Sequence, residues 1–121
     1  MIQAIFLLIV LPGLMVASSH QDPQLNMKLG KTVYQKRCKV CHGVQGDAKS
    51  FAANALNPPP RNFTSAKSKQ ELSRQRMIRS VTEGRSGTAM MPWKNNLTDR
   101  EIQAVVDYIR HLFMSTTVEG K

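Results

Sequence analysis

Ile102, Val105, Val106, Ile109, Leu112 and Phe113 recur three and four residues apart, so they fall on one stripe of a helix. Thr98-Asp99-Arg100-Glu101 precedes the stripe and has the form of a capping box, and its two acids suit the positive end of the helix dipole. The spacing predicts a helix ending near Met114. A second stretch sets Met77, Ile78 and Val81 on an apolar side and Arg74, Arg76 and Arg79 on a polar one. Ser68-Lys69-Gln70-Glu71 offers it a capping box and Gly84 a stop, so one helix is predicted from Ser68 to Glu83. Leu29, Val33, Tyr34 and Val40 share a face, which predicts a third helix over Leu29 to Val40. Gly30 inside that helix costs up to ~1 kcal/mol against Ala. A glycine there points to another backbone approaching closely.

The segments between these helices are long. Gly43 to Ala55 reads as a loop of small residues. Asn57-Pro58-Pro59-Pro60 is extended, because consecutive prolines exclude a helix. Phe63 is the expected buried anchor of this loop. Arg85 to Asn96 forms a second loop with Gly87, Pro92 and the single tryptophan, Trp93. Irregular segments of this length in a small domain usually carry function.

The apolar run Ile2 to Ala17, broken by Pro12-Gly13 and followed by small residues, has the form of a secretory signal peptide over residues 1–19. An uncleaved anchor is the alternative reading, although the run is short for a span of ~20 residues. Residues 20–27 are expected as a flexible leader, 28–114 as the folded domain and 115–121 as a disordered tail. Export places the domain in the periplasm or an equivalent compartment. Asn62-Phe63-Thr64 and Asn96-Leu97-Thr98 match glycosylation sequons, but Thr98 already has a capping role.

The remaining domain of about 100 residues buries only a modest core. The chain of 121 residues carries a formal charge of +9, which favours anionic partners. Nucleic acid is not among them: the basic residues are scattered, aromatics are few, and no nucleic-acid-binding signature accompanies them. The chain has two cysteines, both in Cys38-Lys39-Val40-Cys41-His42. A Cys-x-x-Cys-His run is the form of a c-type haem attachment site. Two thiols at this spacing can each form a thioether to one porphyrin, and the adjoining histidine can serve as the proximal iron ligand. A redox dithiol does not need the histidine, and no βαβ pattern surrounds the motif. A structural zinc site needs four ligands, for which two cysteines are too few.

These features together resemble the class I cytochromes c, small monohaem electron carriers. The resemblance runs from Leu29 to Phe113. Gly30, Tyr34 and Cys38 stand at four-residue steps like the family's N-terminal helix, and Asp107-Tyr108-Ile109-Arg110 is similar to the aromatic turn of its C-terminal helix. Leu56 to Phe63 is similar to a proline-rich loop of bacterial members. Gly87-Thr88-Ala89-Met90 with Trp93 resembles the segment that supplies the distal methionine. The resemblance implies an all-α fold in which long loops wrap a haem. Its first and last helices would cross at Gly30, near Tyr108 or Val105. One haem c would be held covalently by Cys38 and Cys41, with His42 and Met90 on the iron and Arg61 and Trp93 facing the propionates. Met91 stands where relatives have a proline, which leaves a second candidate ligand. Relatives use a loop proline carbonyl to orient the histidine, and this chain has Phe51 in the corresponding region. His20 and His111 are read as unrelated to the iron.

With both axial positions filled the iron offers no substrate site, so one-electron transfer is expected rather than catalysis. The expected partners are acidic redox proteins, with a membrane oxidase or dehydrogenase complex as a further possibility, and the expected state is a monomer. Two other classes remain open: a haem subunit fixed in such a complex, and a haem enzyme or gas sensor whose distal ligand is displaced.

Overall fold

The structure is a computed structural model that describes residues 21–115. The apolar N-terminal segment and the tail after Ser115 lie outside the described residues. Among the described residues every regular element is helical, and none of these helices is long and apolar enough to cross a membrane.

The first helix, α1 (Pro23–Val33), continues into a π-helical stretch, Tyr34–Cys38, and then into α2 (Lys39–His42). It starts well before Leu29, so most of the expected leader is helical. Asp22 is the reason: its side chain accepts from the Gln24 N–H at 2.9 Å, and Pro23 sits at the first helical position, where no backbone donor is needed. Val40 does not share the buried face of Val33 and Tyr34; it is 63% exposed. A π turn takes i→i+5 bonds and so rotates every later residue off the α-helical face.

The loop expected over Gly43 to Ala55 contains a single turn, α3 (Phe51–Asn54), capped by Ser50, whose Oγ accepts from the Ala53 N–H at 3.0 Å. The helix expected from Ser68 is two helices, α4 (Ala66–Glu71) and α5 (Arg74–Glu83). Ser65 caps the first and Ser73 the second, while Ser68 is buried inside α4. Leu72 leaves the helical region between them, with φ −95° and ψ 88°. That bend lets both Leu72 and Met77 reach the core. Gly84 ends α5, as expected.

The last helix, α6 (Asp99–Ile109), opens on a complete capping box. Thr98 Oγ1 accepts from the Glu101 N–H at 3.2 Å, and Glu101 Oε2 accepts from the Thr98 N–H at 2.8 Å. The helix runs on as a π-helical stretch, Arg110–Met114. Ile102, Val105, Val106 and Ile109 are buried, but Leu112 is 54% exposed, again because it lies in a π turn.

One core results, drawn from α1, α5, α6, the two π-helical stretches and the residues Phe63, Leu72 and Leu97 between helices. Burial of each large side chain in it stabilises the fold by about 1.5–3 kcal/mol. The crossing of α1 and α6 sets its shape. A Cβ at Gly30 would fall on the carbonyl oxygen of Ala104, 2.8 Å from its carbon and 2.6 Å from Tyr108 Cβ. Tyr108 is therefore at the crossing as expected, and Ala104 rather than Val105 supplies the backbone. Asp107 ties three helices at the same place: its carboxylate accepts from Arg74 Nε of α5 at 2.6 Å and from Asn26 Nδ2 of α1 at 3.3 Å.

Candidate haem site

The π stretch and α2 place Cys38, Cys41 and His42 at the C-terminal end of the long first helix. Both cysteines are unpaired and half-buried. Burial, with Cys41 beside it as the lesser cause, pushes the Cys38 thiol up to about 12. The group is therefore a neutral thiol, unsuited to binding a metal as thiolate. Among the described residues no three His, Cys, Asp or Glu side chains form a metal cluster.

His42 is fixed on several sides. Its Nδ1 lies 3.0 Å from the carbonyl of Arg61. A carbonyl can only accept, so Nδ1 carries the proton and Nε2 keeps its lone pair. Burial lowers the imidazole pKa, with the bond to Arg61 opposing it, so the ring is held neutral. Its plane stacks on Phe63 at a centroid distance of 4.6 Å and an angle of 18°. Its own carbonyl accepts from the Ala48 N–H at 2.8 Å. On the adjoining residues, Ser50 Oγ donates to the Cys41 carbonyl at 3.0 Å and the Tyr34 hydroxyl to the Gly43 carbonyl at 2.7 Å. A neutral imidazole with one nitrogen engaged by a carbonyl and the other free is the form a metal-bound histidine takes. The two thiols and this imidazole thus fit a covalently held haem.

The carbonyl that orients His42 is that of Arg61, a role that side-chain reasoning could not reach. Arg61's own guanidinium turns to Glu71, with Nη2 2.7 Å from Oε2. Phe63 is buried as expected, and its stacking on the histidine is additional. Tyr34 was read from the sequence as a position on the first helix's apolar face and in its four-residue steps with Gly30 and Cys38, with no role beside His42.

Of the two methionines in the second loop, Met90 packs against the core cluster, whereas Met91 is 52% exposed. The turn before Met90 is closed by bonds from Thr88 N–H to the Arg85 carbonyl (3.1 Å) and from Arg85 N–H to the Met90 carbonyl (2.9 Å). Trp93 is half-buried against the same core, and its backbone N–H donates to the Val81 carbonyl at 2.9 Å. Arg37 lies over its ring at 5.9 Å, a cation–π contact joining the first helix to the second loop. The core cluster therefore meets Cys38, Met90 and Trp93 directly and His42 through Phe63. His111 is exposed and Arg61's side chain lies on the surface.

The family model of cytochrome c matches residues 27–113. Among curated proteins the chain is similar to the cbb3-type cytochrome c oxidase subunit CcoP of Azospirillum brasilense, 29% identical over 86 residues. The same subunit of Azospirillum sp. (strain B510) is 32% identical over 85 residues. Each match takes in 69% of this chain and only 27% of the relative's length. Among solved structures it is similar to the KustC0563 c-type cytochrome, at a TM-score of 0.57 and 32% identity over 69% of this chain and 95% of that one. The Kuenenia stuttgartiensis reducing HAO-like protein complex Kustc0457/Kustc0458 gives a TM-score of 0.61 and 27% identity over 70% of this chain and 41% of that one. The c-type cytochrome NirC, 20% identical with a TM-score of 0.53 over 75% of this chain and 94% of that one, supports the fold alone. The all-helical architecture is the class I cytochrome c fold, and the family carries covalent haem c. The chain belongs to the cytochrome c family and is a small c-type cytochrome.

Proposed function

We propose that this chain is an exported one-electron carrier that holds one haem c through Cys38 and Cys41, with His42 and Met90 as axial ligands. It is not an enzyme. The observation that carries this reading is the neutral His42 ring, with Nδ1–H held by the Arg61 carbonyl and Nε2 without a hydrogen-bond partner among the described residues, in a chain whose second loop turns one methionine toward the same core. A haem with His and Met ligation supplies a reversible ferric–ferrous couple, raised in potential by the soft thioether. The chain's own residues orient the imidazole and keep the site apolar around it.

The exposed cations Lys36, Arg37, Lys39 and Lys49 on the motif side, with Arg85 and Lys94 by the second loop, form the surface that meets acidic redox partners in the periplasm. A patch of one sign steers encounter, raising on-rates by ~10–10³-fold with steep loss in salt. Stopped-flow electron transfer to an acidic redox protein is expected to slow as ionic strength rises. A rate that is flat or rising with salt removes the docking surface from the proposal.

The similarity to CcoP, named as an oxidase subunit, and to a protein complex favours a second reading: a haem module fixed in a larger assembly. Size exclusion of native extract, followed by haem staining, separates the two. The carrier elutes as a monomer, and the subunit elutes with its complex.

A further inference from the structure

The contacts that fix His42 are anchored in two aromatic residues outside the expected ligand set. Tyr34 is 1% exposed, and its hydroxyl donates to the carbonyl of Gly43, the residue directly after His42. Its ring packs on Tyr108 and Phe113 at centroid distances of 5.7 and 5.2 Å. Phe113 closes on the same turn, residues 43–46. Gly46 has a φ of +67°, and a Cβ there would lie 2.6 Å from Phe113 Cδ2. The Gly46 carbonyl in turn accepts from the Phe63 N–H at 2.8 Å, and Phe63 is the ring stacked on His42. The turn is thus held at one end by Tyr34 and at the other by Phe113. His42 precedes the first end, and the ring that covers it hangs from the second.

Both residues stand in π-helical stretches, Tyr34–Cys38 and Arg110–Met114. Single π turns are uncommon and frequent at functional sites, because they redirect side chains that an α-helix would place elsewhere. Here the two turns present their rings to one loop.

We infer that Tyr34 and Phe113 are positioning residues for His42, setting through the turn 43–46 the orientation of the imidazole and so the strength of its Nδ1–H bond to Arg61. This rests on His42 as an iron ligand. A ligating imidazole whose Nδ1–H is well accepted is a more basic ligand, and a more basic ligand favours ferric iron. Loosening the turn lengthens that bond and raises the reduction potential.

The test uses the haem-loaded protein. Tyr34→Phe keeps the ring and removes the hydroxyl; Phe113→Leu keeps an apolar side chain and removes the ring contact. Ser73→Ala, which removes the cap of α5, is the control for stability without contact to the turn. The readouts are the midpoint potential by spectroelectrochemistry and the exchange rate of the His42 Nδ1–H by NMR of the reduced protein. Tyr34→Phe is expected to raise the potential and speed the exchange severalfold, Phe113→Leu to do the same to a smaller extent, and Ser73→Ala to lower the unfolding midpoint while moving neither. Unmoved potential and exchange in loaded Tyr34→Phe overturn the inference, as do equal shifts in Ser73→Ala. Should Tyr34→Phe fail to hold haem, the same criterion applies to Phe113→Leu. A native protein whose spectra show no histidine on the iron fails the ligand reading itself. Normal native spectra with unmoved variants fail the positioning role alone.

Discussion

The two sides of the site are held by different kinds of contact. On the motif side the bonds reach across the chain: His42 to Arg61, nineteen residues on (|i−j| = 19), Tyr34 to Gly43, and Phe63 to Gly46. On the methionine side they are local. Thr88 binds Arg85, Arg85 binds Met90, and the Met90 N–H donates to Thr88 Oγ1 at 3.1 Å. Residues 85–89 are exposed, and the loop is tied back to α5 at Trp93 and Lys94. Opening a loop held by few buried contacts and exposed bonds costs little, whereas moving His42 requires the core to give. The fold thus anchors His42 through contacts distant in sequence and Met90 through contacts close to it in sequence.

The largest effect is expected where the motif side is broken outright. Cys38→Ala with Cys41→Ala should leave no haem that survives acidified organic solvent, and haem staining of a denaturing gel should be lost. Either single substitution should leave haem less firmly held. Solvent-resistant haem in the double variant would remove the motif from the attachment role.

The methionine side is sharpened by comparing its two candidates. An open form that makes up ~0.1–10% of a two-state population is typical. Removing the ligand that closes it then raises apparent affinity about 10- to 1000-fold. Met90→Ala is expected to do this for carbon monoxide on the reduced protein, and Met91→Ala to leave the titration unchanged. If Met91→Ala opens the iron and Met90→Ala does not, the exposed side chain is the ligand and the loop must rearrange to deliver it.

Smaller, and on the motif side again, is the foundation beneath Tyr34. Gly30→Leu would drive a side chain into the Ala104 backbone and Tyr108. Overpacking of this kind costs ~1–3 kcal/mol, which for a domain of this size lowers Tm by about 5–20 °C. Thermal unfolding followed by far-UV circular dichroism checks it. A neutral substitution would mean that α1 and α6 can separate at no cost.

The same contrast, long reach against local pattern, decides what the sequence revealed. The α6 capping box was legible because both partners lie within four residues, and the stripe behind it because burial repeats at helical spacing. Phe63 was legible as the one aromatic residue of the loop Leu56 to Phe63. The cap of α4 was not, because Ser65, Ser68 and Ser73 are all locally competent. The burial of Leu72 decides among them, and burial is a tertiary fact. Val40 and Leu112 were misplaced because π turns leave no mark in a 3.6-residue periodicity. The motif itself was plain in Cys38 to His42. The orienting acceptor was hidden, since any residue at position 61 brings the same carbonyl.

That last point gives the smallest expected effect. Arg61 acts on His42 through its backbone and on Glu71 through its guanidinium. Both side chains are about a third exposed (34% and 36%), so solvent screens the pair and its removal should barely move the unfolding midpoint. The sign with pH is fixed. The hydrogen bond from Arg61 lowers the Glu71 pKa. The pair's contribution is therefore present above the ordinary glutamate range and is lost as pH falls through the lowered value. In Arg61→Ala the small stability difference from the native protein should shrink toward zero on acidification. The reduction potential and the exchange of the His42 Nδ1–H should stay where they are, because the carbonyl remains. A shift in potential without a shift in that exchange would mean that the guanidinium senses the haem directly, returning Arg61 to the propionate-facing role that the family resemblance gives it.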